Sequence, residues 1–457
     1  TRHSTLFPYT TLFRSIGVLE AAALPAAGVV ANLNLAELDL DAWEAAAEKM
    51  LGPGGAAEAS PPGGYLPDRV GLRVQQLATG SRRITKLVAG LTRDESTWKA
   101  NVDAEQLNGY VEYRPARAGS SGRVLARLTR LSLPKNEVEQ VETLLDQAPA
   151  TMPALDIVVD DLELRGRRLG RVEVEALNRF AGDGRGDLKD GTREWRVSKF
   201  TIANPDAQLS GTGRWTDAGA PPGRRRAVLD FKLALADGGA LLERLGKGKT
   251  LRGSKGLMSG QVAWLGSPLT IDFPSLTGNV NVAIESGQFL KAEPGAARLL
   301  GVLSLQALPR RLALDFRDVF QEGFAFDNVT GDVRIADGVA RTNNLRMRGL
   351  QAAVLMEGSA DVGRETQDLR VVVVPEINAG TASLVYAAIN PAVGLGTFLA
   401  QAFLRRPLMQ AGTREFHVSG SWDDPTVERV ERAADAPLPD LDAPTPAAGA
   451  ASAPVRP

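Results

Sequence analysis

Apolar and polar residues alternate strictly over short runs of this chain, and the pattern keeps returning. Val70, Leu72 and Val74 are spaced by two, as are Trp98, Ala100, Val102 and Ala104, and then Val172, Val174 and Ala176. Ala227, Leu229, Phe231, Leu233 and Leu235 follow, and after them Val280, Val282 and Ile284. Successive side chains of a strand point to opposite faces, so each run predicts a half-buried β-strand with one apolar face. From Leu155, Ile157 and Val159 to Leu162 and Leu164 the phase flips across Asp160–Asp161, which predicts a bulge or tight turn. Asp183–Gly184, Asp190–Gly191, Asp237–Gly238 and Asp337–Gly338 read as turns between runs.

Helical spacing is rare. Leu40, Trp43, Ala47 and Met50 share a stripe, as do Val138, Val141 and Leu145 within Lys135–Asp146, and Gly239–Leu245 reads as a short helix closed by Gly246. Parallel winding needs a crossover between successive strands, and these helices are too few for it, so an antiparallel, mainly β architecture is expected. A faint echo recurs as an apolar residue, a polar one and a glycine: Leu209–Gly211, Met258–Gly260, Met356–Gly358 and Val418–Gly420. Its uneven spacing reads as a repeated strand-end solution, not a repeat unit.

A chain of 457 residues exceeds what one compact core organises, so several domains or one elongated, repetitive structure should be expected. Thr1–Ser15 reads as adapter-derived sequence and is set aside. Residues 16–286 read as a repetitive β region, 287–432 as a distinct C-terminal region, and the Ala/Pro-rich 433–457 as a disordered tail.

Ile377–Leu404 carries no charge between Glu376 and Arg405–Arg406. Asn390–Pro391 interrupts it, so two short apolar helices, 381–389 and 392–404, are expected instead of one span. Such a hairpin either caps a core or lies against a membrane surface. In the second case Leu384, Tyr386, Leu395, Phe398, Leu399 and Phe403 are the candidate membrane contacts, with Arg405 and Arg406 reaching lipid phosphates.

Chemistry finds little purchase. Cysteine is absent and the histidines are His3 and His417, which removes thiolate chemistry and leaves one usable imidazole. Gly246–Thr250 ends like a phosphate-binding loop but has Glu243 where its first glycine belongs, and a calcium-loop match from Asp183 fails at Arg185 and Leu188. The formal charge of −1 gives no electrostatic footprint for nucleic acid. The reading is a protein without catalytic residues, metal or cofactor, and without a nucleic-acid partner.

The stretch GQFLKAEPGAARLLGVLSLQALPRRLALDF continuing to Asn378, then REFHVSGSWDDPTVERV at Arg414–Val430, resembles the C-terminal region of the AsmA-like family, nearest its YhdP-type members. The resemblance implies an elongated, twisted antiparallel β half-pipe, open as a groove, with a few short helices and the apolar hairpin near its C-terminal end. It also implies non-enzymatic transport of phospholipid between the inner and outer membranes of a Gram-negative envelope, supporting outer-membrane lipid homeostasis. The setting it implies is the periplasm, with a monomer anchored in the inner membrane by a preceding segment.

Physical reasoning meets this halfway, because so many one-faced strands must cover their apolar side with a second sheet or with acyl chains. The candidate groove residues are Val172, Val174, Leu229, Phe231, Leu233, Val280, Val282 and Ile284. The alternative is an envelope scaffold, serving outer-membrane protein assembly, that binds proteins and no lipid.

Overall fold

The computed structural model describes residues 14–26, 28–43, 45, 67–79, 82–116, 121–134, 152–180, 193–217, 225–246, 248–249, 251–268, 270–290, 324–349, 352–375, 414–422 and 424–430. Nearly all of these lie in one twenty-stranded sheet. Its first part contains β1 (Arg14–Val18), β2 (Val29–Asp39), β3 (Arg69–Thr79), β4 (Arg82–Asp94), β5 (Thr97–Asp103), β6 (Leu107–Arg114) and β7 (Arg123–Leu133). The middle contains β8 (Ala154–Leu164), β9 (Arg167–Phe180), β10 (Arg193–Ala203), β11 (Ala207–Asp217), β12 (Arg225–Leu235), β13 (Leu251–Leu265) and β14 (Thr277–Phe289). The last part contains β15 (Phe324–Ala336), β16 (Val339–Gly349), β17 (Ala352–Asp361), β18 (Thr366–Pro375), β19 (Arg414–Ser421) and β20 (Pro425–Arg429).

Each strand pairs with the one before it in sequence, so the sheet is a long meander. The antiparallel expectation needs correcting at three joints: β1–β2, β2–β3 and β7–β8 are parallel. A parallel neighbour requires the chain to return to the starting end, and residues 19–28, 40–68 and 134–153 supply the length. Just before β8, Met152 and Pro153 lie against the apolar face, where Asn178 Nδ2 donates to the Met152 carbonyl at 3.1 Å and Trp195 Nε1 to the Pro153 carbonyl at 3.1 Å.

Register carries the alternation from strand to strand. Val172 pairs with Ile202, Ile202 with Leu209, Leu209 with Leu233, Leu233 with Met258 and Met258 with Val282. The apolar positions therefore fall on one face of a continuous sheet. The bulge expected at Asp160–Asp161 is present: the β8–β9 register shifts between Val159 and Leu162, which returns Leu162 to the face of Val159. On the other face charges pair across strands, as Arg127 with Asp156 at 2.7 Å and Lys199 with Glu173 at 2.6 Å. Such exposed pairs contribute only about 0–1 kcal/mol each, but they mark the face turned to water.

Neighbouring strands also approach each other closely, and glycine permits it. A Cβ on Gly211 would lie 2.4 Å from the Asp230 carbonyl oxygen, and one on Gly260 would lie 2.1 Å from that of Asn279. Both Cβ vectors point to the apolar face, so a carbonyl of the neighbouring strand stands on that side where a side chain would lie. At Leu209–Gly211 and Met258–Gly260 the echo is thus a mid-strand crease inside β11 and β13, whereas Val418–Gly420 stands at the end of β19, a strand end as expected.

Helix α1 (Gly238–Arg244) starts where a hairpin turn was expected at Asp237–Gly238; Asp237 instead caps it, its Oδ1 accepting from Ala240 N at 3.0 Å. Gly246, at φ +71°, follows its end as the sequence implied. Asp337–Gly338 does form the tight β15–β16 turn, with φ of +50° and +76°. Residues 40–43 and 45 are helical. The expected helix Lys135–Asp146, the turns at 183–184 and 190–191, the apolar pair 381–389 and 392–404, and the tail lie outside the described residues.

Candidate functional site

The apolar face is built from rungs that run across the sheet. One rung contains Val174, Phe200, Gly211, Phe231, Gly260 and Val280, joined pair by pair through the register. All eight groove candidates fall on this face. Val172 is buried at 6% exposure, whereas Val174, Leu229, Phe231, Leu233, Val280, Val282 and Ile284 are half-buried. Phe231 is flanked on its rung by Gly211 and Gly260, so its ring stands between two gaps in the floor. Among the described residues every substantial strand contact is between sheet neighbours, so no second sheet covers this face.

One rim of the trough is closed by indoles. Trp195 pairs with Trp215, Trp215 with Ala227 and Ala227 with Trp264. All four are buried, together with Ala176 and Leu276. A buried indole N–H needs an acceptor, and each finds a backbone carbonyl: Trp195 that of Pro153, Trp215 that of Gly266 at 2.8 Å and Trp264 that of Ser267 at 2.7 Å. The Arg225 guanidinium covers Trp215 at 5.2 Å from the ring centre. The opposite rim carries α1, held by Arg244 to Asp206 at 2.6 Å.

Towards β20 the face is more deeply buried. Phe289, Phe326, Met347, Val354, Val371 and Phe416 form one buried cluster, with the Phe289 and Phe326 rings 5.1 Å apart. The sequence reading missed these residues, the indole rim and the creases. The echo was the available signal, since it ends in Trp215 in one copy and Trp264 in another.

Chemistry on the polar face is that of paired charges. His417 Nε2 lies 2.8 Å from Asp368 Oδ1, and Arg370 bridges Glu415 at 2.6 Å and Glu357 at 3.2 Å. The hydrogen bond to Glu415 is the main cause that holds the Arg370 guanidinium above its usual pKa. Asp332 accepts from Asn281 and Asn344, each at 2.9 Å, and these amides hold its carboxyl below the ordinary value. Among the described residues no group of three or more His, Asp or Glu could hold a metal ion, and no helix is long and apolar enough to cross a membrane. The membrane-contact candidates Leu384, Tyr386, Leu395, Phe398, Leu399, Phe403, Arg405 and Arg406 lie outside the described residues.

Comparison with known proteins gives one consistent direction. A family model described as YhdP protein matches residues 11–427. The chain is 27% identical over 448 residues to the intermembrane phospholipid transporter YhdP of Escherichia coli (strain K12), across 92% of this chain and 32% of that protein. It therefore spans about a third of the length of that relative. No solved structure matches it.

Proposed function

This chain belongs to the YhdP protein family, and from that premise we propose that it carries phospholipid between the two membranes of a Gram-negative envelope, with acyl chains lying in the apolar trough. The observation that supports this best is an apolar face continuous from strand to strand and, among the described residues, uncovered by a second sheet. Acyl chains satisfy such a face without chemistry. Each methylene removed from water contributes about 0.8 kcal/mol, so a tail is held in total yet slides between equivalent rungs. Val172, Val174, Leu229, Phe231, Leu233, Val280, Val282 and Ile284 line the path in this reading, while the head group stays at the open mouth. The setting is periplasmic, the protein acts as a monomer, and contact with a bilayer is assigned to the side chains of 384–403 with Arg405 and Arg406.

The test is lipid carriage by the purified chain. Organic extraction and mass spectrometry should recover phospholipid that survives washing, and labelled phospholipid should move from donor to acceptor vesicles when the protein is added. A folded protein that retains no lipid and moves none overturns the reading in favour of a scaffold.

A further inference from the structure

At β17 and β18 the polar face of the sheet carries a dry apolar patch. Ala353 and Val372 are 0% exposed, Leu355 2% and Val374 5%, and all four point away from the trough, since their neighbours Val354, Val371 and Val373 point into it. Register joins them into a compact patch, Ala353 opposite Val374 and Leu355 opposite Val372. Charged residues frame it: Arg348 and Arg346 stand opposite Ala353 and Leu355 on β16, and Glu415 stands opposite Val372 on β19. Further along the same strands the face is polar again, with Glu357, Ser359, Asp368 and Arg370. None of the framing strands can shield the patch, because strands of one sheet lie side by side.

We propose that this patch is the docking site of the uncharged segment Ile377–Leu404 of the same chain. Chain path is the first argument: the polypeptide leaves β18 at Pro375, next to Val374, and re-enters β19 at Arg414, next to Glu415. These strands are hydrogen-bonded neighbours, so residues 376–413 begin and end at the edge of the patch. Chemistry is the second, because a surface this dry takes a cover without charge, and the segment has none from Ile377 to Leu404. The competing stretch 291–323 starts from β14 and returns to β15, which β16 separates from the patch, and it carries Lys291, Glu293, Arg298, Arg310 and Arg311.

The inference does not depend on what the trough carries. While seated on the patch the segment keeps its apolar side chains on the sheet, so the bilayer contact assigned to it above requires that it first leave the patch.

Because the chain contains no cysteine, the test is clean. Ala353→Cys is combined in turn with Leu384→Cys, Leu395→Cys and Phe398→Cys, and disulfide formation is followed under mild oxidation. At least one pair should close, while Val354→Cys, which faces the trough, should close with none. In the single variants, maleimide should label Ala353→Cys at least about 10-fold more slowly than Ser359→Cys, as local opening requires. Val372→Cys replaces Ala353→Cys if that variant does not fold. No closure with any pair, closure with Leu305→Cys instead, or equal labelling rates overturns the docking. The closed pair should float with phosphatidylglycerol-containing vesicles less than its reduced form; equal flotation, whether both float or neither does, overturns that requirement.

Discussion

Replacing Gly260 by alanine tests whether creases shape the trough. The added Cβ would sit 2.1 Å from the Asn279 carbonyl oxygen and 3.0 Å from both the Asn279 carbonyl carbon and Val280 Cα, where 3.4 Å is ordinary contact. All three atoms are backbone, so no rotamer relieves the clash and β14 must retreat from β13 by about 1.3 Å. Ladder hydrogen bonds of about 2.9 Å do not survive that displacement beside position 260. Overpacking of this kind costs about 1–3 kcal/mol, and the rigid obstacle puts Gly260→Ala near the upper end, about 2–3 kcal/mol. Local opening of β13–β14 should then rise roughly 30- to 150-fold, at about 1.4 kcal/mol per factor of ten. Native-state hydrogen exchange of amides in these two strands reads that ratio directly. Gly90→Ala is the control, since a Cβ there meets nothing within 4 Å; it should be neutral or stabilise by about 0.4–1 kcal/mol. If exchange in Gly260→Ala is as slow as in the unmodified chain, the close approach at the crease is not a rigid feature of this sheet.

Other perturbations probe the face, the rim and the polar side. Leu233→Asp puts a carboxylate among acyl tails at a cost of several kcal/mol, so vesicle-to-vesicle transfer should stop while circular dichroism stays native; undiminished transfer refutes the assigned path. Trp215→Ala empties a site that is 1% exposed and orphans the Gly266 carbonyl, so thermal unfolding should show a loss of about 3–5 kcal/mol, and a negligible loss would mean the rim is not a structural seal. Asp332 has its folded pKa below the ordinary value, so its contribution is fully present above about pH 4 and is lost as pH falls through the depressed value. Asp332→Asn should therefore flatten the acid limb of the stability curve, and an unchanged limb counts against that role.

Much of this was legible in the sequence because alternation is a local property. A period of two assigns Leu229, Phe231 and Leu233 to one face before any neighbour is known, and Val159 and Leu162 showed their bulge by the same logic. The Asp337–Gly338 turn and the end of α1 at Gly246 were likewise set by residues adjacent in sequence. What a strand's neighbour is, and which way it runs, depends on where the chain returns, so the parallel joints β2–β3 and β7–β8 were invisible to local pattern. Asp237–Gly238 carries the same dipeptide as a hairpin turn, yet it opens a helix, because Asp237 captures Ala240 N and α1 packs over the β13 end of the rim. The echo was visible, but its meaning lay in the adjacent strand: only tertiary structure puts the Asp230 and Asn279 carbonyls where side chains at 211 and 260 would stand. For Ala353, Leu355, Val372 and Val374 the unbroken apolar runs of β17 and β18 show no period of two, and the fold alone decided that these four lie on the face opposite Val354, Val371 and Val373.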